Sequence, residues 1–97
     1  MPNNAQTTAR LTAVQSYLEE EFPGHVEAAK KNVLVVSHDG VHHHVVLQPS
    51  FLDLCPDYVH ALRESELTDY MREARSQSRR FLIIWQEHDI RIRSTSL

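Results

Sequence analysis

The chain has 97 residues, of which 41% are hydrophobic and 24% are charged, and this predicts one globular domain over residues 1–97 with frayed ends at 1–7 and 94–97. Ten basic against thirteen acidic side chains give a net charge of −3, so the overall charge favours neither nucleic acid nor an acidic membrane as a partner. The two glycines lie too far apart for a phosphate-binding loop and the single cysteine cannot form an intrachain disulfide, so we expect a reducing, cytoplasmic compartment.

A first helix is predicted between Thr8 and Phe22. Its apolar residues recur at spacings of three, four and four, which places them along one face of a helix: Leu11, Val14, Leu18 and Phe22. Pro23 and Gly24 end the helix. Glu19 to Glu21 occupy the last turn, where the helix dipole disfavours negative charge. We expect these glutamates to be solvated, and pairing with arginines elsewhere in the fold or on a partner is the alternative.

A β-hairpin is predicted over residues 33–47. Asp39-Gly40 lies between two β-branched runs and is typical of a type I′ turn, which fixes the register and pairs His38 with Val41. One face then holds Leu34, Val36, His38, Val41, His43, Val45 and Leu47, and the other holds Val33, Val35, Ser37, His42, His44 and Val46. A short strand over His25–Ala29 could precede the hairpin.

The second half of the chain predicts helices followed by a second hairpin. Ser50, with Asp53 three residues later, is typical of a helix cap. A break in the apolar spacing near residues 63–65 splits the helical region, and Ser65 is placed as the cap of the second piece. Residues 81–86 are apolar on both faces, as in a covered central strand, and residues 90–93 alternate as an edge strand does. The longest strongly apolar run is well short of the about 20 residues that a membrane span needs, so no membrane is expected.

These elements predict an α+β fold. We expect a single antiparallel sheet with helices on one face, in the order α-β-β-α-β-β, with a possible extra short strand before the first hairpin. Both faces of the first hairpin carry valines, which is more apolar than is usual for a sheet with one face in water.

The histidines come nearest to a metal site. His42 and His44 lie two apart on a strand and so on one face, where two imidazoles can share a zinc, nickel or copper ion. A protein zinc site has three or four ligands, and the third would have to be His25, an acidic residue or a histidine of a second subunit. We expect the histidines to be ordinary members of the sheet, with no metal and no cofactor.

No catalytic arrangement is evident. Adjacent strand residues point to opposite faces, so Ser37 and His38 cannot share a proton. Cys55 and His60 lie about 140° apart around a helix, which is too far for the imidazole to activate the thiol. We therefore expect no enzymatic activity and a small, partly buried cysteine.

Arginines cluster towards the C-terminal end. The candidate anion-binding residues are Arg72, Arg75, Arg79, Arg91 and Arg93, because guanidinium groups suit phosphate and carboxylate. Glu66, Asp69 and Glu73 lie in the same helical stretch, where spacings such as the three residues from Asp69 to Arg72 favour an internally paired, solvated face instead. A protein partner and nucleic acid are the alternatives.

Protein binding is the function that these patterns favour. The chain's few helices can cover one face of a sheet, and its strands are apolar on both. We expect a small cytoplasmic binding or adaptor protein that acts as a homodimer through Val33, Val35, Val46 and Trp85. The alternatives are an arginine-mediated nucleic-acid-binding protein and a histidine-based metal-binding protein.

Overall fold

A computed structural model describes residues 4–74 and 77–96 of the chain. Its helices and strands are α1 Asn4–Glu21, β1 Val26–Lys30, β2 Val33–His38, β3 Val41–Leu47, α2 Pro49–Leu54, α3 Tyr58–Glu64, α4 Leu67–Glu73, β4 Arg79–Gln86 and β5 Asp89–Ser96. The predicted α+β class and the extra strand before the first hairpin are confirmed. Within these ranges, no helix is long and apolar enough to cross a membrane.

The strands form one five-stranded sheet in the order β1-β2-β3-β4-β5. Three of the neighbouring pairs are antiparallel, but β3 and β4 pair parallel. The prediction of a purely antiparallel sheet is therefore wrong at one seam. Helices α2, α3 and α4 lie between β3 and β4 in the chain, so the chain crosses over the sheet and enters β4 in the same direction as β3.

The first hairpin has the register that its turn predicts. His38 pairs with Val41, and every later pair of β2 and β3 follows in step. The turn residues Asp39 and Gly40 have φ of 49° and 82°, as a type I′ turn requires. The local sequence is therefore sufficient to define this ribbon.

The second hairpin is longer than predicted. We expected fraying from residue 94, but β5 continues to Ser96 and stays paired with β4 throughout. Its turn residues, Glu87 and His88, have φ of 55° and 62°, although neither is glycine. At the other terminus, α1 begins at Asn4, earlier than the predicted Thr8.

The helices cover one face of the sheet, as predicted. The strand residues of the core all lie on that face: Val26, Leu34, Val36, Val45, Leu47, Phe81 and Ile83. The helices contribute Val14, Tyr17, Leu18, Phe51, Leu52, Leu62, Leu67 and Met71. Burying an aliphatic or aromatic side chain of this size stabilises the folded state by about 1.5–3 kcal/mol, so this layer carries most of the favourable energy of folding.

Two arginines fasten the C-terminal end of α1 to the later helices. Arg63 of α3 pairs with Glu20 at 3.0 Å, and Arg72 of α4 pairs with Glu21 at 2.9 Å. Each guanidinium also lies 4.9 Å from the centre of an aromatic ring, which adds a cation–π contact. The alternative of pairing with arginines within the fold is confirmed for Glu20 and Glu21, and Glu20 also stays exposed, as expected.

Both predicted serine caps are wrong. No side-chain hydrogen bond caps the start of α2 or of α4. The hydroxyl of Ser50 instead accepts the backbone N–H of Trp85 at 3.4 Å, which ties α2 to β4. The hydroxyl of Ser65 donates to the carbonyl of Leu62 at 2.6 Å and so closes the end of α3.

Candidate interaction surface

An aliphatic strip crosses the face of the sheet that lies away from the helices. It consists of five half-buried side chains on β2, β3 and β4: Val33, Val35, Val46, Leu82 and Ile84. The core cluster, together with the side chains packed against it, includes none of these five. We call this side of the sheet the open sheet face.

Strand pairing assembles the strip from two parts of the chain. Val33 pairs with Val46, and Val46 pairs with Leu82 across the parallel seam. Side chains paired in this way lie on one face with Cβ atoms about 5 Å apart, so they form a continuous apolar row. The hairpin members were predictable from their turn. Leu82 and Ile84 were missed, because no local pattern shows which strand β4 joins.

Trp85, predicted to act with the valines, lies on the opposite face. It follows Phe81 and Ile83 at two-residue steps, and it packs against the core as a partly buried side chain. It also lines an open cleft of about 340 Å³ together with Ala61 and Ile90. The structure therefore separates Trp85 from the open sheet face.

The predicted anion-binding arginines are dispersed. Arg72 lies on α4 and pairs with Glu21. Arg79 lies on the helix side of the sheet, where its Nε donates to the hydroxyl of Ser94. Arg75 lies outside the described residues. Arg72 and Arg79 do not form one site with Arg91 and Arg93.

Three exposed arginines nevertheless border the aliphatic strip. Arg91 and Arg93 pair with the two strip residues of β4, and Arg80 lies on the same face of β4 itself. The carboxylate of Glu87 lies 3.6 Å from Arg91, but an exposed pair of this kind contributes little. The β5 side of the open sheet face therefore carries three arginines, with the carboxylates of Glu87 and Asp89 at the turn end of the strand.

The other side of the strip is close to neutral. In β1, Glu27 pairs with Val35 and Lys30 pairs with Val33, which places one carboxylate and one ammonium on the open sheet face. Positive charge is thus concentrated beside β4 and β5 rather than spread across the sheet.

A serine and a histidine meet at the hairpin end of the open sheet face. The hydroxyl of Ser37 lies 2.7 Å from Nδ1 of His42, whose backbone N–H donates to the hydroxyl of Ser78 at 2.9 Å. Among the described residues, no carboxylate hydrogen-bonds the second ring nitrogen of His42. The pair lacks the third group that orients the imidazole in a nucleophilic triad, so its geometry does not indicate catalysis.

His42 and His44 share the open sheet face, as predicted. Within residues 4–74 and 77–96, no group of three or more histidine, cysteine or carboxylate side chains is placed to hold a metal ion. His25, considered as a third ligand, uses its backbone carbonyl to accept the N–H of Ser37 at 2.9 Å. The chain's described residues therefore supply no complete protein site for zinc.

A buried histidine pair lies on the helix side of the first hairpin. His43 is fully buried, and its Nδ1 accepts the backbone N–H of Arg79 at 3.2 Å. The proton then sits on Nε2, which lies 3.1 Å from Nε2 of His38 and 3.2 Å from the carbonyl of Met71. Burial, reinforced by His38, lowers the pKa of His43. This pair belongs to the core rather than to a binding site.

Cys55 is a structural residue. It is fully buried and free, and burial raises the pKa of its thiol. A guanidinium nitrogen of Arg10 donates to the carbonyls of Leu52 and Cys55 at 2.9 and 3.1 Å, which satisfies the end of α2. A buried thiol of raised pKa is a poor nucleophile.

Comparison with known proteins adds no further assignment, because no family model, curated protein or solved structure matches the chain.

Proposed function

We propose that this chain is a non-enzymatic binding protein that pairs with a second copy of itself through the open sheet face. The observation that carries the proposal is the aliphatic strip, which crosses β2, β3 and β4 and faces away from the core. Removal of apolar surface from water favours association, so such a strip favours a partner of similar character. A cytoplasmic location is part of the proposal and is supported by the free, buried Cys55.

The position of the charges favours one arrangement of the two copies. A two-fold axis that runs parallel to the strands over β3 stacks β2 of one copy on β4 of the other, and β1 on β5. The register then places Val33 opposite Leu82 of the second copy and Val35 opposite Arg80. Arg91 and Arg93 lie over β1 instead of over the same arginines, with Arg93 in the row of Lys30.

Sedimentation equilibrium tests the pairing, with leucine replaced by lysine at two different positions. Wild-type protein at micromolar concentration should sediment at twice 11.2 kDa. Leu82→Lys places a charge in the strip and should give a folded monomer. Leu54→Lys makes the same change on α2, where the side chain is 67% exposed, and should leave the dimer intact.

Two results would contradict the proposal. One is a wild-type protein that stays monomeric at high concentration. The other is a Leu82→Lys protein that is folded by circular dichroism and still dimerises as tightly as Leu54→Lys.

Nucleic-acid binding is a second candidate, favoured by the position of Arg80, Arg91 and Arg93 on one face. Affinity for random duplex or single-stranded nucleic acid should then fall steeply with salt, because each neutralised phosphate releases counterions. Fluorescence anisotropy measures the slope of log K against log salt concentration. Substituting Arg91 and Arg93 together by alanine should reduce this slope by about 2. Arg72→Ala, at a residue paired with Glu21, should leave the slope unchanged. Absence of binding at low salt rejects this candidate.

A further inference from the structure

One edge of the sheet is formed by β5. This strand runs from Asp89 to Ser96 and pairs with β4 without a register shift, and none of the described strands pairs with its outer side. Such an edge presents backbone N–H and C=O groups that can pair with another extended chain. The opposite edge, β1, has five residues and an irregularity between Ala28 and Lys30, which makes it a poor template. β5 is therefore the edge suited to strand addition.

The turn before β5 determines which of its backbone groups point outward. Glu87–His88 is a two-residue turn, so the Gln86–Asp89 pair that closes it is hydrogen-bonded. Hydrogen-bonded and non-hydrogen-bonded pairs alternate along an antiparallel ladder, and the outward groups therefore belong to the even-numbered residues. The N–H of Ile90 donates to the preceding carboxylate at 2.9 Å, so the groups open to a new strand begin at Ile92 and continue at Ser94.

The two faces beside this edge differ in chemistry. Arg91 and Arg93 lie on the open sheet face and are exposed, whereas Ile90 and Ile92 lie on the helix side, partly buried against the core. An incoming strand places its alternate side chains beside these two rows. We propose that β5 binds an extended peptide segment in which acidic residues alternate with aliphatic ones, as an added strand of the sheet. This proposal concerns the strand edge and goes beyond the pairing of sheet faces.

A second copy of β5 fits the edge less well. Antiparallel pairing of β5 with itself places Arg91 and Arg93 of both chains on one face, at cross-strand distances of about 5 Å, where like charges repel. An acidic strand puts carboxylates at those positions and replaces the repulsion with charge-assisted hydrogen bonds. The chemistry of the edge therefore favours an acidic partner over a copy of itself.

Synthetic peptides as long as β5 test the required pattern. A peptide of alternating Glu and Val should bind in isothermal titration calorimetry, and a peptide of alternating Lys and Val should not. A peptide that contains the same Glu and Val residues in blocks should bind about tenfold more weakly, because it cannot present one face to each row. Equal affinity for the alternating and the block peptide overturns the proposal.

Substitutions at Ser94 test whether the backbone makes the contact. Ser94→Pro removes an outward N–H without removing a hydrogen bond to β4, and edge strands tolerate proline at such positions. Ser94→Ala also loses the hydroxyl that accepts from Arg79 but keeps the N–H, so it is the matched control. Ser94→Pro should bind the peptide about tenfold more weakly and Ser94→Ala as the wild type does. Replacing Arg91 and Arg93 by glutamine should remove the salt dependence of binding.

A modified peptide gives the same test without changing the protein. N-methylation of the valines blocks one edge of the alternating peptide, and N-methylation of the glutamates blocks the other. An added strand uses one edge, so the two peptides should differ in affinity by at least about tenfold. If the two methylated peptides and the unmodified peptide all bind with the same affinity, the proposal is overturned. Ser94→Pro should still dimerise in sedimentation, because the open sheet face is unchanged, so this proposal and the proposed function fail separately.

Discussion

Both ring nitrogens of His43 are engaged in the core. Nδ1 accepts the backbone N–H of Arg79, so a proton added to Nδ1 would point at another donor. The proton of Nε2 points at the carbonyl of Met71 and at Nε2 of His38. His38 accepts through Nε2, and its Nδ1 lies 3.3 Å from the carboxylate of Asp39. The network thus accommodates one proton on each ring and no third proton.

Acidification should therefore destabilise the fold through His43. The pKa of His43 lies below the ordinary value of 6.5. Below pH 6.5 the unfolded chain therefore binds a proton at this residue that the folded chain does not bind. The free energy of unfolding should fall by up to about 1.4 kcal/mol per pH unit in this range. Well above pH 6.5 both states hold the imidazole neutral, and this residue contributes no pH dependence there. Urea unfolding at about pH 7.5 and about pH 5.5 measures the change.

Two glutamine variants isolate the contribution of this residue. His43→Gln removes the titrating group and should flatten the pH dependence. His60→Gln, at a side chain that is 61% exposed, should retain it. Equal pH dependence in the two variants would show that the buried ring is not the source.

At the scale of the elements, the two hairpins use one turn geometry with different residues. Gly40 occupies its left-handed position without strain, whereas Glu87 and His88 adopt positive φ with full side chains. A side chain in this region costs about 1–2 kcal/mol relative to glycine.

Opposite substitutions in the two turns should therefore have opposite effects. His88→Gly should raise the free energy of unfolding by about 1 kcal/mol, and Gly40→Ala should lower it by a similar amount. A Cβ at Gly40 would meet no heavy atom within 4 Å, so the cost there comes from the backbone alone. Urea unfolding at neutral pH measures both, and a change of the same sign in both variants would contradict the explanation.

The elements that were predictable are those in which neighbours in the chain are neighbours in space. The Asp39-Gly40 turn defines the β2–β3 register, and the apolar spacing of α1 identifies the side chains that it buries. The parallel seam was not predictable, because its partners are joined through three helices. Trp85 was assigned to the wrong face because β4 is apolar on both sides, so its sequence pattern does not indicate which residues face the core.

Over the whole molecule, charge is segregated. Exposed acidic residues crowd the helix layer, among them Glu64, Glu66, Asp69 and Glu73, while exposed arginines border the open sheet face. The net charge of −3 therefore conceals a local group of arginines, so an acidic partner is not excluded at that position.

Pairing of two copies should appear in the thermal stability of the whole protein. Because the dimer dissociates when it unfolds, the Tm of the wild type should rise with protein concentration, whereas the Tm of Leu82→Lys should not. Calorimetry over about a hundredfold range of concentration makes the comparison. A wild-type Tm that is independent of concentration would contradict pairing.

The parallel seam also controls when the open sheet face comes into existence. The β2–β3 ribbon brings together Val33, Val35 and Val46 by a local turn, but Leu82 and Ile84 arrive from beyond the helices. A chain whose synthesis has not yet reached β4 holds three of the five residues of the aliphatic strip and none of the arginines beside it. The complete strip on which the proposed pairing depends therefore forms only after β4 has joined β3.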